Sequence, residues 1–266
     1  MSRIRSAALT VCALVAFLPN LSGCYRPVRF PVVVDAPPEL TVIPPVARYQ
    51  IIGKSVQGRP MMSLALGRGP DVTFILATIH GDEPAGTPLV RRLSTYLRQN
   101  PNILNGRRVI LLRLANPDGL VYNSRFNAHA VDLNRNFDAA NRKNNVRFGL
   151  RALSEPESRA IRQIILQYKP DRIVSVHQRA PGRPGCIDYD GPAADLANHM
   201  ADYCDLPVSR LGAMPGSLGS YAGITLGIPI ITFEMNRADT QLDSEMLWRK
   251  YGKALIAAIV YPDRAE

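Results

Sequence analysis

The sequence predicts an α/β fold, a three-layer sandwich with helices on both faces of a mostly parallel, mixed β-sheet. Three observations carry that expectation. Residues 72–79 and 228–233 are near-continuous apolar runs, the pattern of strands covered on both faces. Between the strand-like runs lie apolar residues at helical spacing, such as Leu89, Leu93 and Leu97, then Ile161, Ile164 and Ile165. Strands that alternate with helices wind into a largely parallel sheet. Finally, His80, His177 and Glu234 each follow a strand-like run. The carboxyl edge of an open α/β sheet is where ligands bind.

Taken in order, residues 49–66 read as a hairpin, with Gln57-Gly58-Arg59-Pro60 as its turn. Residues 71–79 form a strand that ends at His80, and a helix follows from Pro84 to Gln99, with Pro84 near the first turn. A strand over 107–114 runs into Asn116-Pro117-Asp118-Gly119. Residues 120–145 lack periodicity and are rich in Asn, Asp and Arg, which marks a functional loop region. Ser154-Glu155-Pro156-Glu157 has the spacing of a capping box, opening a helix through Tyr168. A strand over 171–176 leads to His177, a helical stretch follows Gly191-Pro192 as far as Cys204, and the 228–233 strand ends at Glu234. A helix over 242–260 closes the chain. One catalytic domain is expected, over residues 46–266.

The amino-terminal region reads differently. Residues 1–23 join two arginines, an apolar stretch and Leu21-Ser22-Gly23, the layout of an export leader. With Cys24, the last four residues resemble the lipobox of bacterial lipoproteins, which implies that Cys24 becomes the lipidated first residue of the mature chain. Residues 24–45 are proline-rich and read as an extended tether to the membrane. The expected location is the cell envelope, on the periplasmic side of the outer membrane. A formal charge of +10 suits anionic lipid, acidic polymer or nucleic acid. Export argues against nucleic acid and for peptidoglycan stem peptides or lipid headgroups. Cys186 and Cys204 remain as an even pair in an oxidising compartment, a candidate disulfide against the alternative of two free thiols.

The chemistry begins at His80-Gly81-Asp82-Glu83. A histidine and a carboxylate on one turn, joined by His177, make a two-histidine, one-carboxylate ligand set for a single Zn²⁺ ion with room for water. Glu234, ending a buried strand, is then free to act as general base. Developing negative charge needs a fixed cation as well. Arg125 and Arg135, with Asn134, offer one, although their composition equally suits a solvated loop.

Seven ordered segments then point one way. Residues 52–60, His80-Gly81-Asp82-Glu83, Asn116-Pro117-Asp118-Gly119, Val131-Asp132-Leu133-Asn134-Arg135-Asn136-Phe137, Ser154-Glu155-Pro156-Glu157, Ser175-Val176-His177 and Thr232-Phe233-Glu234 resemble the M14 zinc carboxypeptidase family. Within it they are most similar to the bacterial murein peptide amidases. The resemblance implies the zinc carboxypeptidase fold, with zinc on His80, Glu83 and His177 and Glu234 as base. It further implies Arg125 as carbonyl polariser, Asn134 and Arg135 as receivers of a substrate carboxylate, and Asp132 as the acid orienting a zinc histidine. Tyr221 is the nearest match to the family's mobile tyrosine, against the alternative of a packing residue. Residues 186–193 resemble the amidase loop after the third zinc ligand, and Asp188 or Asp190 could there meet a diamino acid's ammonium or simply form a turn. The implied substrate is the γ-D-Glu–diaminopimelate bond of stem peptides. An ordinary metallocarboxypeptidase, an N-acyl amino acid deacylase and an inactive murein-binding lipoprotein stand as alternatives.

Overall fold

A computed structural model describes residues 47–262. The leader, Cys24 and the proline-rich tether lie outside the described residues. Strands β1 (Ala47–Lys54) and β2 (Pro60–Gly67) form the expected hairpin, and β3 (Asp71–Ala77), β4 (Arg107–Leu112), β5 (Arg172–Gln178), β6 (Cys186–Asp190) and β7 (Ile230–Met235) complete the sheet. The strand order is β1-β2-β4-β3-β5-β7-β6. The four central strands run parallel, while β1, β2 and β6 are antiparallel to their neighbours. All seven residues of β3 and of β5 are buried, the former as its near-continuous apolar run requires.

Helices cover both faces. On one, α1 (Gly86–Gln99), α4 (Ala194–Ala201) and α5 (Ser244–Val260) share an apolar cluster with the sheet. The buried stripe of α1 is Leu89, Val90, Leu93 and Leu97, the predicted period. On the other face, α3 (Pro156–Tyr168) packs Ile161, Ile164 and Ile165 against Phe74, Leu76 and Ile110. A single turn, α2 (Pro117–Val121), starts at Asn116, whose side chain accepts the Gly119 N–H at 2.8 Å. Apart from a 3-10 turn at Leu133–Arg135, residues 122–145 follow the irregular course expected of them, and it continues to residue 155. No helix among the described residues is long and apolar enough to cross a membrane.

Two expectations need correction. The cap of α3 is Glu155, not Ser154, and the reciprocal capping box does not form. Glu157 is fully buried and instead accepts the Val56 N–H at 3.1 Å, while Ser154 donates to Glu155. A tertiary donor from the hairpin outcompetes the helix's own. Residues 186–190, expected as a loop, form edge strand β6, pairing Cys186 with Glu234 through to Asp190 with Ile230. Alternating aspartates obscured that strand, because both Asp188 and Asp190 are buried rather than solvated.

Candidate metal centre and its cleft

The parallel strands deliver the site's residues in two ways. After β3 the chain bends sharply: Thr78 takes φ 55°, and its carbonyl accepts the Asn116 N–H at 3.0 Å. His80 therefore sits three residues beyond the strand. Gly81 lies so close to the α2 turn that a Cβ would fall 1.9 Å from the Gly119 carbonyl carbon, so only glycine fits. His177 and Glu234, by contrast, lie inside β5 and β7, not after them as expected. They face each other in register across the parallel pair. Ladder hydrogen bonds use only the backbone, so the pairing continues past residues with polar side chains. Register neighbours point to the same face about 5 Å apart, which sets Glu234 beside the His177 ligand.

Glu83 is the hub. Its Oε1 lies 2.9 Å from Nδ1 of His80 and its Oε2 lies 2.8 Å from Nδ1 of His177. The Gln178 N–H donates to Oε2 at 3.2 Å, and Arg125 Nη1 donates to Oε1 at 3.4 Å. Nε2 of His80 faces Asp132 Oδ1 at 3.1 Å, and Arg125 Nε holds the other Asp132 oxygen at 3.0 Å. Asp132 thus meets the His80 nitrogen remote from Glu83, the kind of contact by which an acid can orient an imidazole. All three candidate ligands are buried, and one donor atom from each lies within 4.8 Å of the others. Zinc bonds of about 2.0–2.1 Å at tetrahedral angles set donor atoms about 3.3 Å apart, so this set fits the ion.

Burial alone would neutralise these groups, but their mutual charges win. Burial works against the His80 cation, yet Glu83 and Asp132 raise its pKa to about 9. Burial would raise Glu83, yet the two imidazoles hold it well below the usual carboxylate range. Asp132 is likewise pulled down, against burial, by His80 and Arg125. Glu234 differs: burial pushes it up, helped by the Glu83 charge and opposed by His177 and Arg179. A carboxylate raised toward neutrality is suited to accept and return a proton.

His80, Glu83, His177 and Glu234 line a cleft of about 380 Å³ together with Arg125, Asn134 and Arg135. Asn134 Oδ1 accepts the Leu218 N–H at 2.8 Å, and Arg135 Nη1 donates to the Asn134 carbonyl at 2.6 Å. Burial lowers the Arg135 pKa, with Asp132 opposing. A partly desolvated guanidinium in an open cleft is suited to an anion. Asp188 and Asp190 also line the cleft, and burial raises both. Asp188 accepts the Leu211 N–H at 2.8 Å, whereas the buried Asp190 Oδ1 has no partner among the described residues.

Other expectations fail here. Tyr221 does not line the cleft. It is 5% exposed and stacks on Phe137 with ring centroids 5.9 Å apart, so it is a core residue. Cys186 and Cys204 are free thiols, with Cys204 Sγ directed at the Met200 carbonyl at 3.7 Å. Among the cleft residues that escaped the sequence reading are Gln178, Arg179 and Arg237. Gln178 accepts the Ala85 N–H at 3.0 Å and donates to Thr240, tying the ligand turn to β5. The only signal for it was its place directly after His177.

A buried two-histidine, one-carboxylate set with a carboxylate base beside it is the arrangement the segment pattern implied. The sequence pattern of the zinc carboxypeptidase family, peptidase M14, matches residues 40–180. This chain belongs to that family. As a member of the zinc carboxypeptidases it is a zinc metallopeptidase by class. It is similar to murein peptide amidase A of Escherichia coli K12, 34% identical over 201 residues, covering 68% of this chain and 78% of the relative. Among solved structures it resembles the murein-tripeptide amidase of Escherichia coli O157, with a TM-score of 0.62 and 27% identity over 80% of this chain and 92% of that one. Carboxypeptidase A from Helicoverpa armigera shares the fold, with a TM-score of 0.64 at 18% identity, covering 82% and 70%.

Proposed function

We propose that this zinc carboxypeptidase is a murein peptide amidase, hydrolysing the bond between γ-D-glutamate and diaminopimelate in peptidoglycan stem peptides. The observation that carries the chemistry is Glu234 in register with His177, beside the ligand set centred on Glu83. Zinc held by His80, Glu83 and His177 would supply a Lewis acid and acidify a water. Glu234 takes the proton from the attacking water and passes it to the leaving amine. Arg125 donates to the carbonyl oxygen as negative charge develops there. Asn134 and Arg135 receive the terminal carboxylate of the diamino acid, and the partnerless Asp190, with Asp188, suits its ammonium. The similarity to murein peptide amidases supports this substrate. The leader and Cys24 support an exported enzyme, lipid-anchored at the periplasmic face of the outer membrane.

The test is the zinc-loaded full chain incubated with L-Ala-γ-D-Glu-meso-diaminopimelate, with products identified by mass spectrometry. Free diaminopimelate should be released, and both a chelator and Glu234→Gln should abolish its release. Cleavage of an all-L control peptide instead would make the enzyme an ordinary metallocarboxypeptidase, a reading that the Asn134–Arg135 carboxylate site equally serves.

A further inference from the structure

Outside the cleft, one surface feature is unexplained by hydrolysis. The most exposed large apolar side chains among the described residues are Val146, at 77%, and Leu150, at 73%. Both belong to one short loop and, with Val131, border one shallow apolar depression. Lys143, Arg147 and Arg151 are exposed around them, and residues 139–154 contain no acid. Glu155, which also borders the depression, is buried and engaged by Asn127 and His129. The nearest exposed acid before the loop is Asp138.

The protrusion is built rather than slack. Asn145 bridges to Gly149, and the Asn145 side chain accepts the N–H groups of Arg147 and Phe148 at 2.9 Å each. Arg142 Nη2 draws in the carbonyls of Phe148, Gly149 and Arg151 at 2.7–2.9 Å. Arg142 so satisfies the loop's own carbonyls, and among the described residues the three other cations have no ion-pair partner. The Arg147 carbonyl accepts the Asp132 N–H at 2.7 Å, which joins the loop to the segment that orients His80.

Two aliphatic side chains in water, ringed by cations, match one kind of partner. A polysaccharide or a polar peptide offers no apolar phase for them, whereas a bilayer offers an acyl boundary beneath its headgroups. Cations near an anionic leaflet are drawn to its surface, and the attraction falls off within a Debye length. We propose that the loop over residues 142–151 is a docking surface for a bilayer with anionic headgroups. Val146 and Leu150 enter the acyl boundary, and Lys143, Arg147 and Arg151 meet the headgroups. The loop's bond to Asp132 then keeps the Arg135 end of the cleft close to the membrane.

The experiment is vesicle co-sedimentation of the mature chain, residues 24–266, carrying Cys24→Ser, so that neither the apolar leader nor acylation can mask the loop. Vesicles are phosphatidylcholine alone or with 30 mol% phosphatidylglycerol. The parent should prefer the anionic vesicles and release them as salt rises. Val146→Ser with Leu150→Ser should weaken partitioning at least about tenfold. Lys143→Gln, Arg147→Gln and Arg151→Gln together should weaken it about a hundredfold on anionic vesicles and little on neutral ones. Thermal midpoints within about 2 °C of the parent would show that the fold persists. Equal partitioning of the parent and the serine pair would overturn the proposal, because binding would then reside elsewhere. Binding to purified peptidoglycan but not to vesicles, or to neither, would overturn it too.

Discussion

Glu83 and Asp118 are both buried carboxylates on turns after strands, and both are held below their ordinary pKa, yet only one is available to a metal. Asp118 opposes burial with the Gln57 N–H at 3.0 Å, the Ser55 hydroxyl at 2.8 Å and the Arg59 guanidinium. Every partner there donates to Asp118 and none is an imidazole, so the cluster is closed and clasps the β1–β2 hairpin to the α2 turn. Glu83 is satisfied chiefly by two imidazoles. An imidazole nitrogen can surrender its proton and become a ligand, so the same contacts that stabilise Glu83 can be exchanged for a cation. A buried carboxylate indicates a metal site only when its partners can themselves coordinate.

The largest expected effect tests the base beside the open cluster. Glu234→Gln should lower kcat by about 10²–10⁴-fold while zinc content by elemental analysis stays at one ion per chain. Loss of the metal would mean that Glu234 belongs to the ligand set. Next comes the hub: Glu83→Gln should reduce zinc affinity by more than about 100-fold, read by competition with a chromogenic chelator. Asp132→Asn should cost about 10–100-fold in the same assay, since it frees the far nitrogen of His80 without removing a ligand.

At the closed cluster the effect should move from metal to stability. Asp118→Asn should cost about 2 kcal/mol in urea unfolding at pH 7, with zinc affinity unchanged. Because the folded-state pKa of Asp118 is lowered, its stabilisation is present above the unfolded value of about 3.9 and lost below it. The gap between parent and variant should therefore narrow as pH falls through about 4. A gap constant with pH would mean that the charge contributes nothing. The smallest effect belongs to Tyr221→Phe. Stacked on Phe137 and away from the cleft, it should change kcat/KM by less than about twofold. A tenfold loss would restore the tyrosine to the reaction.

Local chemistry made much of this legible. Apolar runs of strand length fall on both sides of the sheet's crossovers, and helical spacing located the buried faces of α1 and α3. His80, Glu83, His177 and Glu234 were identifiable because acid–base residues stood at the ends of buried runs. What misled was residue type read without its tertiary partner. Ser154 and Glu157 look like a helix cap, but the hairpin's Val56 N–H takes the glutamate. Asp188 and Asp190 look like turn formers, but the free edge of β7 recruits them as strand β6. Cys186 and Cys204 look like a pair, but each packs separately.

By itself, then, the sequence determined the alternation of strands and helices and the acid–base residue types that gather at the site, because periodicity and residue chemistry are local properties. Only the tertiary structure decided that His177 and Glu234 share a rung, that Tyr221 is core, and that Gln178 braces Glu83. Those facts depend on strand register and on which distant backbone donor arrives first, and neither is written in the spacing along one chain.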